Sequence, residues 1–443
     1  MSNGHGPQTD IPFPRSPEPP RPSLRRPAMQ VAGLFAGVGG LELGLSRSGH
    51  EARLLCEIDE GAAAVLRHQF PQTDLHDDVA TLRELPSGTE LLVGGFPCQD
   101  LSQAGKTKGI KGAKSGLVGE VFRLIEAQPV PWLLLENVPF MLQLAKGEAL
   151  EVIVAKLEQL GYRWAYRVVN SQAFGLPQRR RRVYIVASLE DDPRDVLFAD
   201  DEGAPEKPDM ATWKERACGF YWTEGLRGLG WADDGVPTLK GGSTVGVPSP
   251  PAIVLPPTLA GDGPRVVKPD IRDAERLQGF EPNWTAPAEK VVRTGFRWKL
   301  VGNAVSVQVA EWIGRRLRQP GSYDGSGDRP MNRKRSWPTA GWNLGSGRFV
   351  ADVSEFPIRE ERPALAEFLD HPGTPLSVRA TRGFQSRMAK AKLRFPPGFP
   401  EVIEEHLRWA EQNEPRKPTG RVRKTKRPVV GCEGSGSATQ SLN

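Results

Sequence analysis

Between residues 30 and 188, short apolar runs alternate with helical patterns, and no other feature constrains the fold as strongly. The runs are QVAGLF, ARLLCEI, ELLVGGF, PWLLLENV, RWAYRVV and RRVYIVAS. Between several of them lie amphipathic stretches such as GAAAVLRHQF and GEALEVIVAKLEQLGY. Apolar strands separated by helices predict an α/β unit built on a doubly wound parallel sheet. In such a sheet the loops leaving the strands' C-terminal ends hold the ligand.

The flanks read differently. Residues 1–28 are rich in Pro, Ser and Arg and lack apolar periodicity, so disorder is expected there, with Met29 as an alternative start. Residues 189–268 are rich in Gly, Pro, Asp and Trp and predict a small irregular domain. Helical patterning returns over 269–318 (DIRDAERLQGF, VSVQVAEWIGRRLR), rejoining the first unit. GSYDGSGD marks 319–335 as a linker, 336–412 as an ordered C-terminal extension and 413–443 as a basic, disordered tail.

The chain has 443 residues and a net charge of +6, from 59 basic and 53 acidic side chains. That balance is compatible with nucleic acid without requiring it. No apolar run is long enough to span a bilayer and there is no secretory h-region, so a cytoplasmic, nucleoid-associated location is expected. Cys56, Cys98, Cys218 and Cys432 form no CxxC pair. Neither a metal site nor a disulfide framework is predicted.

Three strand exits carry candidate ligand groups. FAGVGG (Phe35 to Gly40) is a glycine-rich strand-to-helix turn, where glycines admit a ligand to the backbone and the helix start offers free N–H groups. Such turns also serve only to pack a helix on a sheet. Glu57, about 20 residues on, stands where a carboxylate accepts ribose hydroxyls, though a solvated acid fits too. Asp78, in HDDVATL, could accept an adenine amino group. Together the three describe an adenosine pocket.

Two further exits carry reactive groups. LLVGGFPCQ places Cys98 on a loop leaving a strand, and the thiolate is a nucleophile once its pKa is lowered. LLLENV ends in Glu136. A carboxyl in a partly dry pocket can share a proton with a ring nitrogen, or merely bridge the core. In QRRRR, alternation puts Arg180 and Arg182 on one face and Arg179 and Arg181 on the other. One pair lines a site for phosphate or a base oxygen, unless the run is a solvated basic patch.

The ordered series FAGVGG, Glu57, Asp78, PCQ, ENV, QRRRR, RLQGF and GNAV resembles the DNA cytosine-5 methyltransferase family over residues 30 to about 316. The resemblance implies a Rossmann-like sheet of the S-adenosylmethionine-dependent methyltransferases, a small irregular target-recognition domain and a C-terminal extension. S-adenosylmethionine would be held by Phe35, Gly37, Gly39, Glu57 on the ribose, Ile58 on the adenine, Asp78 on its amino group, and Asn303 and Val305. Cys98 would be the nucleophile, with Asn137 bracing its loop and Glu136 at cytosine N3. Arg180 and Arg182 would contact the cytosine edge and a nearby phosphate. Gln278-Gly279-Phe280 would support the recognition domain. Gln99, Ser102, Thr238, Leu239 and Lys240 are the expected DNA contacts, with Ser243 and Thr244 as further candidates.

Its expected activity is methyl transfer to C5 of cytosine in a specific duplex DNA sequence, by a monomer. The setting would be a restriction-modification system with a cognate endonuclease, or a solitary bacterial methylase. Transfer to tRNA on the same fold is the alternative, and an inactive scaffolding paralogue is a third reading that the intact Cys98, Glu136 and Arg180 oppose. Leu101 and Lys114 depart from the family's commoner Phe and Arg, within the Gly/Lys-rich stretch 100–116 expected to act as a lid. Beyond 330, LSVRATRGFQSRMAKAKLRF carries a basic face. It is either a solvated helix packed through Phe384, Leu393 and Phe395, or a DNA-backbone contact.

Overall fold

The computed structural model describes residues 25–96, 116–206, 208–222, 228–241, 250–332 and 336–415. Its main sheet uses strands β1 (Gln30–Leu34), β2 (Glu51–Cys56), β3 (Asp74–His76), β4 (Leu91–Gly95), β5 (Trp132–Asn137), β6 (Arg163–Asn170) and β8 (Arg181–Ser188). A two-residue β7 (Gln178–Arg179) precedes β8. The spatial order β3-β2-β1-β4-β5-β8-β6 is the Rossmann-like arrangement. From β3 to β5 every pairing is parallel, but β8 runs antiparallel to both β5 and β6. The sheet is therefore mixed, not wholly parallel. The short connection from Asn170 to Arg181 has no room for the crossover helix a parallel return needs.

Helices cover both faces. Gly40–Arg47 and Val307–Arg318 pack beneath Val31, Leu91, Val93 and Leu134. Leu117–Ala127 and Glu148–Gln159 bury Val121, Ile125, Ile153 and Leu157 against Ala32, Leu92, Leu133 and Leu135 on the opposite face. Consecutive residues of β1 thus enter opposite cores, the period-two rule made visible.

The expected boundaries need three corrections. Arg26 is already part of the fold, its N–H donating to the Arg318 carbonyl and its guanidinium to Asp191 at 2.8 Å while lying over Trp132. Residues 1–24 lie outside the described residues. Residues 189–202 belong to the main domain, since Val196, Leu197 and Phe198 are buried in its core. The stretch expected as a linker is packed: Tyr323 stacks edge-on to Phe198 at 5.1 Å, and β14 (Arg329–Pro330) is a strand.

The C-terminal extension is two pieces with separate destinations. β15 (Ala340–Asn343) and β16 (Arg348–Val350) add, with β14, to the free edge of β6 and bring the sheet to ten strands. Pairing there protects an otherwise open edge. The second piece completes the small domain, which is regular, not irregular. β9 (Cys218–Trp222), β10 (Leu229–Ala232), β12 (Ala252–Val254), β13 (Val266–Lys268) and β17 (Thr374–Pro375) form an antiparallel sheet in the order β10-β9-β12-β13-β17. A separate two-residue strand, β11 (Val236–Pro237), pairs with β7 in the main domain.

Helices Val378–Met388 and Phe399–Asn413 cover this second sheet, and Phe384 meets Phe220 at 4.4 Å between ring centroids. Phe384 and Phe395 pack as the sequence implied, but Leu393 does not: it is exposed. Phe384→Ala should cost about 3–5 kcal/mol through reduced burial and a residual cavity. In proteolysis time courses the variant should lose its small domain before its main sheet.

Candidate functional site

The glycine turn leaves β1 through three left-handed residues, Phe35 (φ 55°), Gly37 (φ 57°) and Gly39 (φ 84°). Gly37 N–H donates to Glu57 Oε2 at 2.7 Å, and Glu57 Oε1 accepts from Asp59 N–H at 2.8 Å. The carboxylate at the end of β2 is thereby fixed beside the turn. Burial raises its pKa, against the pull of those two N–H donors. A Cβ placed on Gly37 would meet nothing within 4 Å, so the turn opens onto free space. Ile58, next to Glu57, has 75% of its surface exposed, costly for an aliphatic side chain unless a ligand covers it. Glu57 N–H donates to the His76 carbonyl, which brings the β3 exit and Asp78 alongside. A carboxylate pair and an exposed apolar side chain around an open glycine turn fit a nucleoside.

Val305 also reaches this turn. Its carbonyl oxygen would lie 2.5 Å from a Cβ on Gly40, so only glycine permits the approach. Asn303 is exposed and lies against Gly241 of the small domain. Gln278-Gly279-Phe280 also differs from expectation. Phe280 stacks on Trp284 at 5.2 Å, and Trp284 Nε1 donates to the Val38 carbonyl at 2.8 Å, so the pair supports the glycine turn. Gln278, fully buried, donates to the Val301 carbonyl at 2.7 Å and accepts from Gln178 at 3.1 Å.

The second cluster sits at the ends of β4, β5 and β8. Glu136 pairs in register with Gly95 and Tyr184. A Cβ on Gly95 would crowd Glu136 Oε2 at 3.1 Å and approach Val305 Cγ2 at 3.8 Å, so this group adjoins the glycine turn through Val305. Glu136 is 8% exposed and binds Arg182 Nε at 3.0 Å. Burial drives its pKa upward, while Arg182 and Arg180 oppose the rise. Asn137 Nδ2 donates to the Phe96 carbonyl at 2.9 Å, holding the chain where it leaves β4. Cys98, Gln99, Ser102, Leu101 and Lys114 lie outside the described residues; Phe96 is the last described position before them.

The four arginines divide as alternation predicts, with Arg180 and Arg182 buried and Arg179 and Arg181 exposed. Arg180 nevertheless departs from its expected role. Its Nη1 donates to the carbonyls of Leu239 at 3.4 Å and Gly302 at 3.3 Å, and its Nη2 to Ala304 at 2.5 Å. The guanidinium is committed to joining two backbone segments, at Leu239 and at Gly302–Ala304, and Nε alone is without a partner among the described residues.

Leu239, expected to touch DNA, is 3% exposed and its N–H donates to Gln178 Oε1 at 3.1 Å. Thr238 Oγ1 donates to the Arg179 carbonyl at 2.9 Å, and Lys240 Nζ lies 4.0 Å from the centre of the Tyr221 ring. Thr238 and Leu239 thus bind the small domain to the arginine strand, and Lys240 keeps partial exposure. Ser243 and Thr244 lie outside the described residues. Among the described residues no group of His, Cys, Asp or Glu could hold a metal ion, and no helix is long and apolar enough to cross a membrane.

One buried acid escaped the sequence reading. Glu42, on helix Gly40–Arg47, is 1% exposed, and neither carboxyl oxygen has a hydrogen-bond partner among the described residues. Gly33 on β1 makes room for it, since a Cβ there would collide with the carboxyl. Burial pushes its pKa up to about 8. Between the unfolded value near 4.5 and this folded value, the native state holds one proton more than the unfolded chain, so stability falls as pH rises across that window. Glu42→Gln should remove this loss and gain up to about 5 kcal/mol above about pH 8. Urea unfolding at about pH 5 and about pH 9 measures both effects.

Comparisons with known proteins show what this chain is similar to. The model of the C-5 cytosine-specific DNA methylases matches residues 29–216. Type II methyltransferase M2.BsuMI of Bacillus subtilis (strain 168) is 48% identical over 373 residues, covering 82% of this chain and 94% of that protein. Type II methyltransferase M.MspI of Moraxella is 28% identical over 299 residues, covering 64% and 69% of the two chains. Among solved structures, the Dnmt2 methyltransferase of S. pombe aligns with a TM-score of 0.46 at 17% identity, covering 65% of this chain and 98% of that one.

Proposed function

The chain belongs to the C-5 cytosine-specific DNA methylase family and is a DNA cytosine-5 methyltransferase, and from that premise we propose how it acts. It moves a methyl group from S-adenosylmethionine to C5 of a cytosine within a specific duplex sequence, as the modification enzyme of a type II restriction-modification system. A cognate endonuclease acts at the same site, and the methylase works as a monomer on cytoplasmic, nucleoid DNA. The observation that carries the mechanism is the Glu136–Arg182 pair, seated on β5 and β8 beside the strand end that leads to Cys98.

Cytosine C5 is a weak nucleophile and C6 is shielded in the duplex, so the base must leave the stack to react. The Cys98 thiolate adds to C6, and the electron pair moves through the ring toward N3. Glu136, whose dry surroundings favour the protonated carboxyl against the pull of Arg182 and Arg180, gives N3 a proton, and Arg182 steadies the carboxylate that results. C5 is then enamine-like and can take a methyl group. When bound, S-adenosylmethionine supplies that methyl as an electrophile. A base removes the C5 proton, the C6–S bond breaks, Cys98 leaves as thiolate, and N3 returns its proton to Glu136.

Glu57, Ile58 and Asp78 hold the nucleoside end of the cofactor, with Phe35, Gly37, Gly39 and Val305 shaping the turn around it. The 48% identical relative is named a type II methyltransferase, which supports DNA over tRNA as substrate. Bisulfite sequencing of DNA from cells expressing the chain should show one short motif methylated throughout. An unmethylated genome alongside methylated tRNA would reverse the choice of substrate.

A further inference from the structure

Resting on that reading, we propose that the segment joining the two C-terminal helices is a duplex-DNA backbone contact, placed to hold phosphates that flank the target. Between Ser377 and Gly398 the chain carries six cations, Arg379, Arg382, Arg387, Lys390, Lys392 and Arg394, and no Asp or Glu. Arg382 is paired with Glu411 at 2.6 Å, and Arg387 Nη1 is spent on the Gly383 carbonyl. Lys390, Lys392 and Arg394 are exposed and have no carboxylate partner among the described residues. Three like charges left unpaired within five residues repel one another, an arrangement a polyanion relieves.

The segment is held rigidly on the recognition sheet. Trp231 Nε1 donates to the Arg394 carbonyl at 3.2 Å, Trp213 Nε1 to the Pro397 carbonyl at 2.9 Å, and Phe395 stacks on Phe399 at 4.7 Å. Trp231 lies on β10, the edge strand of that sheet. Its own carbonyl accepts Arg179 Nη2 at 2.8 Å, and Arg179 is exposed one residue before Arg180. One tryptophan therefore bridges the basic segment to the arginine strand that reaches Glu136 through Arg182. Cations carried on one tethered segment suit a phosphodiester backbone, whose charges are regularly spaced. Contacts of this kind add affinity in every sequence context and carry no base specificity.

The tethers use the Arg394 carbonyl and not its side chain, so the charges can be removed without loosening the segment. The test compares the full chain with Lys390→Ala/Lys392→Ala/Arg394→Ala on duplexes bearing the target. The slope of log Kd against log salt should become shallower by about 2–3, at roughly 0.9 for each phosphate no longer neutralised. Affinity at about 0.1 M salt should fall roughly 10- to 100-fold, with kcat at saturating DNA and the bisulfite motif unchanged. Trimming the duplex flanks should erase the difference between the two proteins. The charge-retaining Lys390→Arg/Lys392→Arg/Arg394→Lys should restore the parent slope. An unchanged slope in a triple-alanine variant that unfolds at the parent's temperature overturns the proposal and leaves the methylation reading standing. A parent chain that does not bind duplex DNA overturns both, and so does a slope change seen only with RNA.

Discussion

Cys98→Ser will bind S-adenosylmethionine as the parent does and will lose methyl transfer by roughly 10³-fold or more, the scale on which removing a covalent nucleophile acts. A hydroxyl at that place is scarcely ionised near neutrality, whereas a thiol ionises far more readily. The described residues end two positions before it, at Phe96. β4 ends in Gly95, opposite Glu136, and Asn137 Nδ2 holds the Phe96 carbonyl. A tritiated-methyl assay, read beside cofactor titration by calorimetry, separates chemistry from binding. Full turnover by the serine variant would remove the thiol from the mechanism.

Glu136→Gln will lower kcat by about 10²–10⁴-fold, the range for loss of a positioned general acid, with little change in KM for the cofactor. The amide can still face N3 but cannot release a proton to it. Burial raises the Glu136 pKa against two arginines, so the carboxyl keeps its proton to higher pH than an exposed glutamate would. Activity that needs the protonated form declines as pH rises through that pKa. The parent should show this alkaline limb in kcat, and the glutamine variant should not. A limb of equal size in both proteins would assign it to another group.

How much of this was legible in the sequence follows from the range of each interaction. Strand order from β1 to β6 and the glycine turn rest on local periodicity and local backbone needs, and they were readable. The antiparallel β8 was less so, because a strand's direction depends on the length of its connection and not on its composition. The C-terminal extension was opaque for a stronger reason. β15 pairs with β6 across about 176 residues, and β17 pairs with β13 across about 107, leaving no trace in local pattern. The small domain looked irregular because its sheet and its covering helices come from segments that far apart.

Within the site, the residue types pointed to the chemistry and not to each side chain's partners. Arginine alternation along QRRRR separated buried from exposed side chains, yet only the fold reveals that Arg180 is consumed by three carbonyls while Arg182 reaches Glu136. Glu42 carried one overlooked signal. An acid on the helix after a glycine turn, facing a strand that holds a glycine, marks a place where space was left for a carboxyl.

The most direct measurement replaces the reactive hydrogen. Duplexes carrying 5-fluorocytosine at the bisulfite-mapped site are incubated with the full chain and S-adenosylmethionine, denatured and examined by mass spectrometry. Fluorine at C5 cannot depart as a proton does, so the account predicts a protein–DNA adduct that survives denaturation and maps to Cys98. Methyl transfer to ordinary cytosine at that site, with no adduct on the fluorinated duplex, would contradict it.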